Sequence, residues 1–221
     1  MHIRYCERGG PGLFDEPLNA VTNVSFFIAV WLTWRFAKRD EALSTGLWVL
    51  MGLATAVGIG STLWHTLATP WAQLLDVIPI LLFQLCFLWL YGRRFIGLRP
   101  QVIAPLLALY VGAALLGRQH REWLNGVLIY TPTLVLSVVV GIDHYLRSRR
   151  ERFLVFAVAG VFCLGLFFRT IDLAMCRSLP IGTHFLWHTL NGVACCLLMR
   201  VLIVGGSRDE HADRLTLRAR H

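Results

Sequence analysis

Apolar residues fall along the chain in long runs broken by short polar clusters. Seven such runs stand out, at about 18–35, 45–66, 74–92, 101–117, 123–144, 153–173 and 182–203. Several approach the roughly 20 residues a helix needs to cross a bilayer. The uncharged stretch from Ala42 to Leu75 is too long for one crossing. Thr69-Pro70 divides it, because a residue preceding proline is pushed out of the helical conformation. The pattern predicts an all-α polytopic membrane protein, a bundle of seven transmembrane helices within residues 1–204. Residues 1–17 read as a short N-terminal segment and 205–221 as a basic tail. In the N-terminal segment, Gly9-Gly10-Pro11-Gly12 reads as a turn, and Pro17 suits the first turn of the first helix.

Composition agrees with this pattern. Hydrophobic residues make up 56% of the 221 and charged residues only 15%, against about 25% charged in a soluble domain. The formal charge of +8 raises nucleic acid as a partner. The basic residues, however, are scattered over short loops and a tail, and no basic folded surface results. They sort by side instead. Arg35, Lys38 and Arg39 follow the first run; Arg93, Arg94 and Arg99 the third; Arg147, Arg149, Arg150 and Arg152 the fifth; Arg200, Arg208, Arg214, Arg218 and Arg220 the last. The other side has only Arg4, Arg8, Arg118, Arg121 and Arg177. The positive-inside rule then puts the N-terminus outside and the tail in the cytoplasm. No basic n-region and apolar h-region precede the first run, so no cleavable signal peptide is expected.

The side called outer collects the reactive groups. His184 and His188 are four apart and so share one helix face. Ser61 and His65 repeat that spacing near the end of the second run, and Asp76 opens the third. None of these residues entered the topology argument. Three imidazoles with an open fourth position form a catalytic zinc site, in which the metal activates water and polarises a carbonyl. Asp76 is the natural general base, and Ser61 an oxyanion donor or an orienter of water. Single histidines at span ends also serve as interface anchors. Glu7, Glu16 and Asn19, with Asp15 nearby, offer oxygens for part of a calcium shell, which takes six to eight. Acids at that point equally suit a helix N-terminus. Arg169 and Asp172, three apart, read as an ion pair. Of the six cysteines, Cys86, Cys163, Cys195 and Cys196 lie in apolar runs as buried thiols. Cys6 and Cys176 lie outside the runs and are free to pair if that side is oxidising.

These residues resemble a known family, the alkaline ceramidases, and in particular their bacterial branch. That family is placed in a wider group of seven-span metal hydrolases that includes the adiponectin and progestin receptor relatives. Four blocks carry the likeness: Tyr5-Cys6-Glu7 with Glu16-Pro17-Leu18-Asn19-Ala20-Val21-Thr22-Asn23; Ser61-Thr62-Leu63-Trp64-His65 with Asp76-Val77-Ile78-Pro79; Ile171-Asp172-Leu173-Ala174-Met175-Cys176; and His184-Phe185-Leu186-Trp187-His188-Thr189-Leu190-Asn191-Gly192. The resemblance implies zinc on His65, His184 and His188, with Ser61 and Asp76 at the activated water, and a disulfide between Cys6 and Cys176. It implies hydrolysis of the amide of ceramide to a sphingoid base and a fatty acid. The N-terminal segment departs from the animal members, with Arg4-Tyr5 before Cys6-Glu7 and Arg8-Gly9 after it, in the stretch those enzymes use for calcium.

The expected function is therefore a zinc-dependent hydrolase of ceramide or a ceramide-like N-acyl lipid, acting on linear amides. The expected partner is a membrane lipid with a long acyl chain, with no nucleic acid and no obligate protein partner. The expected location is a bacterial inner membrane, with the site toward the outer face. The competing reading is a non-catalytic seven-span receptor or transport protein with a structural metal site. A metal-free transporter would place polar residues at the bilayer midplane, whereas here they gather at one end.

Overall fold

The structure, a computed structural model, describes residues 5–10, 12–120, 123–147 and 150–218; the side chains of Asn125 and of 206–218 lie outside the description. So do Arg4, Pro11, Arg121, Arg149 and Arg220, named above for turn or charge. The elements are helices only: α1 (Pro17–Val21), α2 (Val24–Arg39), α3 (Thr45–Leu67), α4 (Pro70–Tyr91), α5 (Pro100–Gln119), α6 (Thr131–Arg147), α7 (Leu154–Met175) and α8 (His184–Arg218). A π-helical turn, Gly92–Ile96, extends α4, and a 3-10 stretch, Trp123–Tyr130, precedes α6. Among the described residues seven segments are long and apolar enough to cross a membrane, so the chain is an integral membrane protein of the expected class.

Local chemistry sets the boundaries. The first span is broken into α1 and α2 at Thr22-Asn23. There the Asn23 amide donates to the carbonyls of Asn19 and Ala20, and the backbone tightens to i+3 bonds from Ser25 to Thr22 and Phe26 to Asn23. Ser44 caps α3 by accepting from the Leu47 N–H, as a side-chain oxygen does at a helix start. Ala68, in the left-handed region at φ 49°, ends α3, and Thr69-Pro70 opens α4 four residues earlier than the apolar run suggests. The expected helix from 123 is 3-10 as far as Tyr130. Pro132 lacks an N–H and sits in the first turn of the α-helical part, where that donor has no intrahelical partner to lose.

Two close approaches fix the site end of the bundle. A Cβ on Gly60 would lie 1.9 Å from the Leu75 carbonyl oxygen, so α3 and α4 touch backbone to backbone there. A Cβ on Gly192 would lie 2.6 Å from the Ser25 hydroxyl, which itself donates to the His188 carbonyl at 3.1 Å. Small residues at helix crossings do this work in membranes, where lipid is as apolar as leucine and packing replaces the hydrophobic drive.

The buried interior divides in two. One half is apolar, built on Ala37, Leu47, Leu50, Met51, Phe83, Phe87, Met199 and Ile203. The loops at that end meet: Arg200 pairs with Glu151, and Arg94 donates to the Ser44 hydroxyl. The other half buries Arg8, Glu16, Asn19, Ser61, His65, Asp172, His184 and His188. Wide faces carry exposed Trp31, Trp48, Leu109, Leu116 and Phe167, the surface a lipid environment covers. Cys163 is on such a face, contrary to its expected burial, and Cys86, Cys195 and Cys196 are half-buried.

Candidate metal centre

The N-terminal segment folds over the polar end and is bonded to it. Cys6 and Cys176 form a disulfide with Cα atoms 5.1 Å apart. Glu7 turns its carboxylate onto the start of α1, accepting from the N–H groups of Leu18 at 2.6 Å and Asn19 at 2.8 Å. That is the favourable place for an acid at a helix N-terminus. Asp15 accepts from Gly12 N–H at 2.6 Å and closes the preceding turn.

Asp172 of α7 does the same for α8. One of its oxygens accepts from the N–H groups of Thr183 at 2.7 Å and His184 at 3.0 Å, and the other from Cys6 N–H at 3.1 Å. This is what becomes of the carboxylate expected to pair with Arg169. Gly182 makes the turn possible: its φ is 66°, and a Cβ there would meet the Asp172 carboxylate at 2.2 Å. The first turn of α8 is thus fixed from α7, and both its histidines point inward.

His65, on the last turn of α3, closes the group. One ligating nitrogen from each of His65, His184 and His188 falls within 4.8 Å of the others, and all three rings are buried. Their centroids are 4.6 to 5.4 Å apart. The hydrogen bonds select the ring atoms. His65 Nδ1 contacts the Glu16 carboxylate, and His188 Nδ1 donates to the Asn19 carbonyl at 2.8 Å. A proton held on Nδ1 leaves the Nε2 lone pair for a ligand. Tyr5 stacks on His184 at 4.0 Å. The His184 Nδ1 atom has no hydrogen-bond partner, as suits a nitrogen reserved for something else. Three neutral imidazoles, each oriented by its surroundings, fit a metal ion.

Behind His65 stands a residue that sequence reasoning placed only among loop charges. Arg8, buried, pairs with Glu16 and also donates to the His65 carbonyl at 3.0 Å. Burial alone would raise the Glu16 carboxyl, yet hydrogen bonds from His65, Arg8 and Asn19 hold it below its usual value. The expected calcium ligands are therefore engaged. Glu7 is spent on backbone N–H groups and Glu16 on Arg8, His65 and Asn19. Among the described buried atoms there, the side-chain oxygens of Asn19 and Asn23 remain open, far short of a calcium shell. These residues do not fit calcium; a guanidinium supplies the positive charge there.

Ser61 and Asp76 meet across the α3–α4 contact that Gly60 permits. Ser61 is buried, and both it and the half-buried Asp76 carboxylate line the cavity wall. The cavity holds about 830 Å³ and runs from His184 and His188 down to Phe87, Val140 and Leu198 in the apolar half. That volume lies in the range of lipid- and drug-sized pockets.

Seven apolar spans, a buried three-histidine group able to hold a metal ion, and a long apolar cavity opening from it define a membrane-embedded protein built around a lipid-sized site. The family comparison gives it a place: the ceramidase family model matches residues 12–217, and the chain belongs to the ceramidase family. No curated protein matches the chain.

Proposed function

We propose that the protein is a zinc-dependent hydrolase of the amide bond in ceramide or a ceramide-like N-acyl lipid. The observation that carries this reading is the position of the buried three-histidine group, two of whose residues, His184 and His188, line one end of a largely apolar cavity. An acyl chain in the cavity brings its amide to the histidines, at headgroup depth. In this reading that end faces the outer side of a bacterial inner membrane, and the sidedness of the basic clusters supports the orientation.

In this reading His65, His184 and His188 hold zinc, and the ion supplies Lewis acidity and an acidified water. The chain's own groups move the protons. Asp76 takes a proton from the attacking water and delivers it to the amide nitrogen. The water oxygen bonds to the acyl carbon, and the C–N bond breaks with its electron pair on nitrogen. The products are a fatty acid and an amine. Ser61, beside Asp76 on the same cavity wall, keeps that carboxylate aimed at the cavity. In this reading it is a positioning residue for Asp76 and for the attacking water.

The test is zinc content of the detergent-purified protein together with hydrolysis of ceramide and of acylated amino lipids, in wild type, His188→Ala and Asp76→Asn. About one zinc per chain is expected, lost with His188 along with activity. Asp76→Asn should retain the metal and lose roughly 100- to 10,000-fold in rate, the range for removing a general base. A stoichiometric metal with no hydrolysis of any amide would favour the receptor or transport reading.

A further inference from the structure

The cavity has a second polar patch, well below the metal centre, that the hydrolytic steps leave without a task. Gln84 of α4, Tyr110 of α5, and Thr133 and Ser137 of α6 all line its wall. Gln84 follows Asp76 by eight residues on α4, roughly 12 Å deeper along the helix. Past it the wall turns apolar again, at Phe87, Val140 and Leu198. Tyr110 is buried, and its hydroxyl donates to the Gln84 amide oxygen at 2.6 Å. That hydroxyl has one hydrogen, so at its 2.8 Å contact with Thr133 the threonine is the donor. The Gln84 amide nitrogen donates one N–H to the Thr133 oxygen at 3.4 Å. Ser137 donates to the Leu134 carbonyl of its own helix at 2.7 Å.

Two hydrogen-bonding places stay open in this patch. A side-chain amide carries two N–H groups, and the second N–H of Gln84 has no acceptor among the described residues. The Ser137 oxygen has spent its hydrogen but can still accept, and it lies one turn from Thr133 on the same helix face. Hydrogen bonds between helices hold membrane bundles together, and those of Tyr110 join α5 to α4 and α6. That task uses neither the second amide N–H nor a place on a cavity wall. A plain hydrocarbon chain passing Gln84 strips water from the open N–H and returns nothing. A hydroxyl on the chain accepts from Gln84 and donates to Ser137, one bond for each open place. Resting on the hydrolase reading above, we propose that the preferred substrate is an N-acyl lipid whose acyl chain carries a hydroxyl near its middle, and that Gln84 and Ser137 bind this hydroxyl. An extended chain covers the roughly 12 Å from Asp76 to Gln84 in about ten carbons. Hydrolysis consumes one water and releases the hydroxy fatty acid and the amine, and the chain hydroxyl takes no part in the bond changes.

The experiment compares ceramides that carry a stearoyl, a 10-hydroxystearoyl or a 2-hydroxystearoyl chain on the same base. The zinc-loaded full-length protein in detergent is assayed for kcat/KM on all three. The chelated protein is titrated with the same lipids, and binding is followed by tryptophan fluorescence, since Trp64 and Trp187 line the cavity. Wild type should favour the 10-hydroxy chain over the plain one by about 5- to 50-fold in both measurements, the range for relieving an unsatisfied buried donor. The 2-hydroxy chain, whose oxygen stays at the metal end, should not share this gain. Gln84→Met removes the amide at similar length and should bring the ratio near one. Equal or better use of the plain chain by wild type overturns the proposal, as does a ratio unchanged in Gln84→Met. A purely structural Gln84 would lower thermal stability and slow both substrates alike. If Gln84→Met does not fold, Ser137→Ala takes its place, since it loses the acceptor without touching a bond between helices; there too the ratio should fall, and an unchanged ratio overturns the proposal. If wild type cleaves no ceramide, the hydrolase reading falls, and the binding preference of the chelated protein still decides for or against a hydroxyl site at Gln84.

Discussion

Arg8 shows how much of a metal site lies behind its ligands. It touches no imidazole ring, but it fixes Glu16, and Glu16 fixes the His65 ring. Groups in that position govern ligand orientation and basicity. Arg8→Met is expected to weaken zinc binding by about 10- to 100-fold, measured by competition with a chromophoric chelator, with the α-helical circular dichroism retained. The buried three-histidine group was legible in part, because helical spacing places His184 over His188, and His65 one turn after Ser61 at the end of its run. Arg8 was not. It sits in a segment with no period, and only the fold brings it within reach of residues 57 positions away. Arg169 was legible as a charge near a span end, but its direction into the cavity depends on how α7 is rotated against α8.

Among the elements, the α3–α4 pair carries the most specific demand. Gly60 lets the two backbones touch at the residue before Ser61, at Leu75 and Asp76, and that contact brings Asp76 to the same cavity wall as the serine. Gly60→Val must push α4 outward. It is expected to lower stability by about 1–3 kcal/mol, the usual cost of overpacking, and to cut activity more than metal content. Thermal unfolding in detergent, zinc analysis and an amidase assay separate these effects. Apolar run length and the Thr69-Pro70 signal announced both helices. Their contact did not show, since a glycine in an apolar run reads the same whether it faces lipid or a neighbouring backbone. The 3-10 stretch before α6 escaped notice for a related reason: its residues are as apolar as those of a helix, and only Pro132 hinted at where the α-helical part begins.

At the scale of the whole molecule the two ends differ in kind: one holds polar groups inside, the other holds ion pairs at its surface. Glu151 pairs with Arg200 there, and the Arg200 hydrogen bond holds the Glu151 carboxyl below its ordinary value despite partial burial. The sign follows. A depressed carboxyl adds stability above its unfolded pKa and loses that stability as pH falls through the folded one. The thermal stability gap between wild type and Glu151→Gln should be full at neutral pH and should close on acidification below about 4.3. Seven spans and the gathering of reactive residues at one end could be read from charge and run length, because both depend on composition. The bond of the N-terminal segment to the end of α7 rested on family likeness, since residues 170 apart show no local signal of pairing.

The site also has an order in time. His65 waits on α3 while α8, which supplies His184 and His188, is still to leave the ribosome. Asp172 cannot fix the start of α8 before that helix exists, and the N-terminal segment has no Cys176 to bond until α7 has crossed. Metal loading is therefore expected to be a final, post-synthetic event. Nascent chains stalled before Thr183 should insert six spans and take up no zinc, however much is supplied. The cell then meets either a complete centre or none, and a half-made protein cannot act on the lipids around it.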